Sequence, residues 1–281
     1  MKENIFDLTN IRMEIFFKSY EKLRLILSFY EKNNIHKINI PCKNDLKKDF
    51  LINSIKIARD EFPNIDVIPH FSILHEFKRN RINTLNSCLE FLRIVKSLGC
   101  NKVLLVSGSQ KRSTLDSVST LSYLKDNTLF SKSDFSIGVA FNPYLSSFLF
   151  DEEVIKLERK IQSGLVKSIW IQFGTDCNLL ESRIDILKDI ILSVETTCSK
   201  KLDIKLFGSI LLPSKQLLAR MKFRPWKGVY CSDEFLESLE FANKFIFNLF
   251  KTYKQYKICP IIETDVSTEN NLNSLGKILK L

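Results

Sequence analysis

The chain has 281 residues, 44% hydrophobic and 26% charged, enough for one large α/β domain with a substantial core. No apolar run approaches the roughly 18 residues of a membrane span, and the N-terminus MKENIFDLTN lacks the apolar core of a secretory leader, so a cytoplasmic location without membrane contact is expected. The net charge of +10 comes from dispersed lysines with no basic block and no nucleic-acid motif, which reads as a solvated basic surface.

Seven cysteines, at 42, 88, 100, 177, 198, 231 and 259, form no CxxC pair and meet only three histidines. They read as reduced, mostly buried thiols, with neither a disulfide framework nor a metal site.

Residues 1–10 read as a tail. Ile11–Phe17 is the first strand expected, followed by a helix over Lys18–Asn33 with Leu23, Ile26, Leu27 and Tyr30 at helical spacing. His36–Pro41 is the second strand and Asp45–Asp60 the second helix; Ile65–Ile73 and Asn83–Leu98 follow, the latter closed by Gly99. Lys102–Val106 is the fourth strand, and Ser113–Leu124 a helix with Ser113 or Thr114 as its N-cap.

Phe135–Phe141 is the fifth strand, and Asp151–Ser163 a helix stopped by Gly164, where glycine enters a left-handed cap cheaply. Ile169–Phe173 is the sixth strand and Asn178–Cys198 its helix. Asp203–Leu212, a short helix Pro213–Lys222 and a loop Phe223–Tyr230 lead to one long helix, Ser232–Gln255. Ile258–Ile262 and a helix over Thr268–Leu279 close the chain.

Eight strands alternating with helices over this length predict a single-domain (β/α)8 barrel across residues 11–281. A doubly wound open sheet is the alternative. No glycine-rich phosphate loop follows any strand, which argues against a nucleotide-binding open sheet.

In such a barrel the chemistry gathers where strands end. Polar residues sit there in number: Glu14, Asn39, His70, Ser72, Ser107, Ser109, Asn142, Gln172 and Glu263. Glu14 lies between Met13 and Ile15, a setting that desolvates a carboxylate, raises its pKa and suits it to general acid work. Pairing with Arg12 or a barrel lysine is its plain structural reading. Gln172, inside an apolar run, needs a partner for its amide, either neighbouring backbone or a ligand. His70 alone reads as a satisfied core histidine, Ser107-Gly108-Ser109 as a turn, and Lys160 as a solvated cation near a helix C-terminus.

In order and spacing these segments resemble the methylenetetrahydrofolate reductase family over about residues 11–280. MEIFF at 13–17 is similar to its FEFFP segment, VIPHFSI at 67–73 to its APHLT-like strand, and FSIGVAFNP at 135–143 to a strand carrying an aromatic residue against the cofactor. LERKIQSGLVKSIWIQF at 157–173 is similar to its LKRK…AGA…TQFFFD segment.

The resemblance implies reduction of 5,10-methylenetetrahydrofolate to 5-methyltetrahydrofolate, with NAD(P)H as reductant and FAD as cofactor at the C-terminal mouth. It implies Glu14 as catalytic acid, and Gln172 and Ser109 as substrate contacts. It places His70, Ser72, Ser107, Gly108, Phe141, Glu153 and Lys160 on the flavin side. The family's Arg-Gly-Asp-like turn after the fourth strand is Ser107-Gly108-Ser109 here, without either charge. That departure keeps three alternatives open: a flavin-independent folate reductase, a non-redox folate-binding barrel and a folate-dependent methyl-transfer protein. The assembly state, a homo-oligomer included, is equally open.

Overall fold

A computed structural model describes residues 7–42, 48–76, 80–108, 115–130 and 135–280. Eight parallel strands close in sequence order into a barrel, β1 (Arg12–Glu14), β2 (Lys37–Ile40), β3 (Asp66–Ser72), β4 (Lys102–Val106), β5 (Ser136–Phe141), β6 (Val166–Ile171), β7 (Lys205–Ile210) and β8 (Cys259–Ile262). The expected (β/α)8 fold is therefore the one observed.

Helices alternate with the strands: α1 (Tyr20–Lys32), α2 (Lys48–Glu61), α3 (Arg81–Ser97), α4 (Ser117–Asp126), α5 (Ser147–Gln162), α6 (Cys177–Cys198), α7 (Lys215–Phe223), α8 (Asp233–Glu237), α9 (Leu239–Gln255) and α10 (Glu269–Lys280). Side-chain caps start many of them. Ser19 accepts from Lys22 N–H, Asp176 from Leu179 N–H and Ser214 from Leu217 N–H, each satisfying a donor that the helix leaves orphaned. Gly164, at φ +73°, ends α5 as expected.

Two cores follow from the two-residue period of a strand. Alternate residues such as Met13, Ile38, Ile40, Val139 and Ile171 face outward and pack against the helices. The others face the barrel axis, where Ile68, Leu104, Trp170 and Ile261 form a separate plug with Val106 and Phe207. Trp170 stacks on Phe207 with ring centroids 4.1 Å apart. Gly138 makes room for this, because a Cβ there would run into the indole.

Four sequence expectations are corrected. β6 begins at Val166, three residues early, because the polar Lys167 and Ser168 belong to the wet N-terminal end of the strand. The α4 cap is Asp116, which accepts from Ser119 N–H; Ser113 and Thr114 lie outside the described residues. The expected long helix breaks at Ser238, whose extended backbone (φ −149°, ψ 162°) ends α8 while its hydroxyl caps α9. Within the supposed tail Leu8–Asn10 forms a 3-10 turn, with Asn10 at the barrel's N-terminal opening, and residues 1–6 lie outside the described residues.

Candidate active site at the C-terminal mouth

Glu14 ends β1 with 9% exposure, and both its neighbours, Met13 and Ile15, are buried in the outward core. The alternation therefore turns Glu14 toward the barrel axis. Its β2 neighbour in register is Asn39, which is fully buried. The Asn39 amide lies 2.8 Å from His70 Nε2, and its Oδ1 faces the Arg12 guanidinium at 3.5 Å. Arginine only donates, so Oδ1 takes the arginine side and Nδ2 donates to the imidazole. On that network His70 Nε2 is an acceptor and its proton sits on Nδ1. His70 is thus held in a fixed orientation at the inner wall, and the bare reading of a satisfied histidine accounts for this nitrogen.

On the opposite side, Gln172 extends the β6 ladder by donating its backbone N–H to Phe141 O at 2.9 Å. It continues the inward series Ser168, Trp170, Gln172 and is partly exposed. Among the described residues no partner is present for its side-chain amide, so the alternative of a glutamine bonded to neighbouring backbone does not hold. Glu14 and Gln172 therefore share one face and one end of the barrel.

Two contributors escape a strand-by-strand reading. The β1–β8 register pairs Arg12 with Ile261 and Met13 with Ile262, and its next step brings Glu14 beside Glu263. Glu263 N–H still donates to Ile210 O at 2.9 Å, so the strand geometry persists to that residue. One Glu263 oxygen accepts from Ser209 Oγ at 2.5 Å. Two carboxylates thus stand on adjacent strands at the rim. The second contributor is Asn142, which donates to Gly228 O at 2.9 Å and accepts from Tyr144 N–H. It ties the 224–231 loop over the β5–β6 side of the mouth. Thr175 N–H donates to Tyr230 O, and the Tyr144 and Tyr230 rings stack 6.3 Å apart. The polar residue at each strand end was the available signal for both; the ring closure between β1 and β8 has none.

The residues assigned to a flavin are less convergent. Ser72, 2% exposed, shares the inward series of His70. Ser107 accepts from Ser117 N–H at 2.9 Å and donates to its hydroxyl at 3.1 Å, joining β4 to α4. Gly108, at φ +89°, packs on Leu74, whose Cβ would be 2.5 Å from any added Cβ. Ser109 lies outside the described residues.

Phe141 has no exposure; it belongs to the outward series and packs against Phe150 of α5, so it faces away from the mouth. Lys160 is also buried, against the expectation of a solvated cation. Its Nζ donates to Ala140 O at 3.1 Å and lies 3.8 Å from Glu153. Burial lowers the ammonium pKa, and Glu153 opposes that shift.

Among the described residues no cluster of His, Cys, Asp or Glu could hold a metal ion, and no helix is long and apolar enough to cross a membrane. All seven cysteines are free thiols, but only Cys88 and Cys100 are buried while Cys198 and Cys259 are exposed, which corrects the expectation of mostly buried thiols.

No protein-family profile and no curated protein matches the chain. Solved structures do. An aldo/keto reductase from Klebsiella pneumoniae, in complex with NADP and acetate, aligns with a TM-score of 0.55 at 9% identity, over 97% of this chain and 86% of its own. A curdlan-specific exo-beta-1,3-glucanase from Blastomyces gilchristii, in complex with glucose, aligns at 0.50 and 8% identity, over 97% of this chain and 98% of its own. A dihydrodipicolinate synthase from Agrobacterium tumefaciens aligns at 0.50 and 8% identity, over 89% of this chain and 79% of its own. At such identities the likeness extends to the fold alone: the chain is a single-domain (β/α)8 barrel.

Proposed function

We propose that the C-terminal mouth binds a reduced folate and that the chain reduces 5,10-methylenetetrahydrofolate to 5-methyltetrahydrofolate with hydride from NAD(P)H. The observation that carries this reading is the convergence of Glu14 with an unpartnered Gln172 amide on one inward rim. A partly exposed amide at the rim is open to solvent in the free protein and available to a ligand that displaces it.

The folate's five-membered ring must open to an iminium before it accepts hydride, and the departing nitrogen then needs a proton. Glu14 is placed to supply it. Glu263, at the end of the adjacent strand and bonded to Ser209 Oγ, is the second carboxylate at this rim. Gln172 offers one donor and one acceptor to the pterin edge and so orients the reacting carbon. His70, fixed by Asn39, shapes the inner wall beside this rim.

The flavin-side residues do not fit FAD as they stand. Phe141 faces the helices, Lys160 and Glu153 pair inside the wall, and Ser107 is bonded to Ser117. No step is routed through a flavin. These same placements favour the flavin-independent reductase over its flavin-bound relative.

The test is folate-dependent oxidation of NAD(P)H by the purified protein and by Glu14→Gln. The variant should lose about 10²–10⁴ in kcat while keeping folate affinity. A wild-type protein that binds the folate but turns nothing over would end the reductase reading in favour of a binding barrel. An absorbance band at about 450 nm in the purified protein would reinstate FAD.

A further inference from the structure

The N-terminal opening of the barrel is a cavity of about 480 Å³, walled by the first residues of the strands. That volume lies within the range of small-molecule sites. Its lining includes five cationic residues, Arg12, Lys37, Lys102, Lys167 and Lys205, against two acidic ones, Asp66 and Asp203, an excess of three positive charges.

Asp66 is already neutralised. It pairs with Arg12 on one oxygen and accepts from Lys102 Nζ at 2.9 Å on the other. Lys37, Lys167 and Lys205 have no ion-pair partner among the described residues. At the back of the cavity Arg12 is 3% exposed, and its Nε is buried with no hydrogen-bond partner. A buried donor of that kind asks for an acceptor. The inner floor is apolar: Phe207, stacked on Trp170, and Ile68.

A concave, low-dielectric pocket with one sign of excess charge concentrates the opposite sign. Its depth excludes a flat macromolecular surface, and its apolar floor suits a ring rather than a bare ion. We propose that the N-terminal opening binds a small organic polyanion of the nucleoside-diphosphate class. The base lies against Phe207, and the phosphates meet Lys167, Lys205 and Lys37. The site is separated from the folate-side rim by the axial plug and stands independently of the folate reading.

The experiment is calorimetric titration of the full-length protein with ADP, with adenosine as the uncharged control. ADP should bind saturably, one per chain, and weaken as salt is raised, whereas adenosine should not bind. Lys167→Glu combined with Lys205→Glu should weaken ADP by at least about tenfold with an unchanged circular dichroism spectrum. Glu14→Gln, at the other end, should bind ADP as the wild type does. Absence of saturable binding at millimolar ADP, equal affinity for adenosine, or an affinity unchanged by the double variant would each overturn the proposal. Loss of ADP binding in Glu14→Gln alone would also overturn it, by moving the ADP to the folate-side rim.

Discussion

The two openings of this barrel use the same eight strands and the same inward alternation, yet they carry opposite chemistry. Where strands begin, Arg12, Lys37, Lys102, Lys167 and Lys205 gather around Asp66. Where strands end, the inward series carries Glu14, Glu263, Asn39 and Gln172. Between them sits a dry layer centred on Trp170 and Phe207. The contrast teaches that inward polarity serves two purposes in one wall. At the strand starts Arg12 and Asp66 pair and brace the barrel, although Arg12 Nε keeps no partner; at the strand ends the Gln172 amide has none among the described residues.

Four measurements would break or sharpen that contrast. Trp170→Ala should be the most damaging, costing about 3–5 kcal/mol in urea unfolding, since the lost indole leaves a cavity on the axis that its neighbours cannot close. A cost under about 1 kcal/mol would mean that the plug is not the divider described here. Asp66→Asn should cost about 3 kcal/mol in the same assay, because the buried Arg12 charge loses its partner.

The pH dependence comes next. Burial alone would raise the Asp66 carboxyl, but Arg12 and Lys102 beside it reverse that and hold it below its ordinary value. A carboxylate whose folded pKa is depressed stabilises fully above its unfolded pKa of about 3.9 and loses that contribution as the pH falls below it. Wild-type urea midpoints should therefore drop below about pH 4 more steeply than those of Asp66→Asn. The smallest effect on stability belongs to Gln172→Ala, within about 0.5 kcal/mol, since no internal bond is lost. Under the proposed folate reading the same variant should raise KM for the folate about tenfold, the value of an amide contact to a ligand. A large loss of stability in Gln172→Ala would mean that the amide serves the wall instead.

The barrel itself is legible in the sequence because short apolar runs between glycines and polar clusters mark strands; Lys102–Val106 is expected and found at the same bounds. Helix faces are equally plain where burial follows the period, as with Leu23, Ile26, Leu27 and Tyr30. Less legible is whatever depends on closure or direction. Phe141 lies in an apolar strand whose two faces are both buried, so its outward direction follows only from the neighbouring strands. Lys160 reads as a surface cation because nothing local announces that its ammonium folds back onto Ala140. The α8–α9 break hides in a continuous apolar pattern, although Ser238 three residues before Phe241 is the cap signal that marks it. The lysines of the N-terminal opening are scattered over 169 positions, from Lys37 to Lys205, and look like general surface charge until the strands bring them together.

The stacked pair on the axis also decides traffic. A cylinder stoppered at its waist has no through passage, so a molecule that enters one doorway must leave by that doorway. Reactant and product of the upper chamber would queue at the same threshold, and the spent form would inhibit by simple competition with the fresh one.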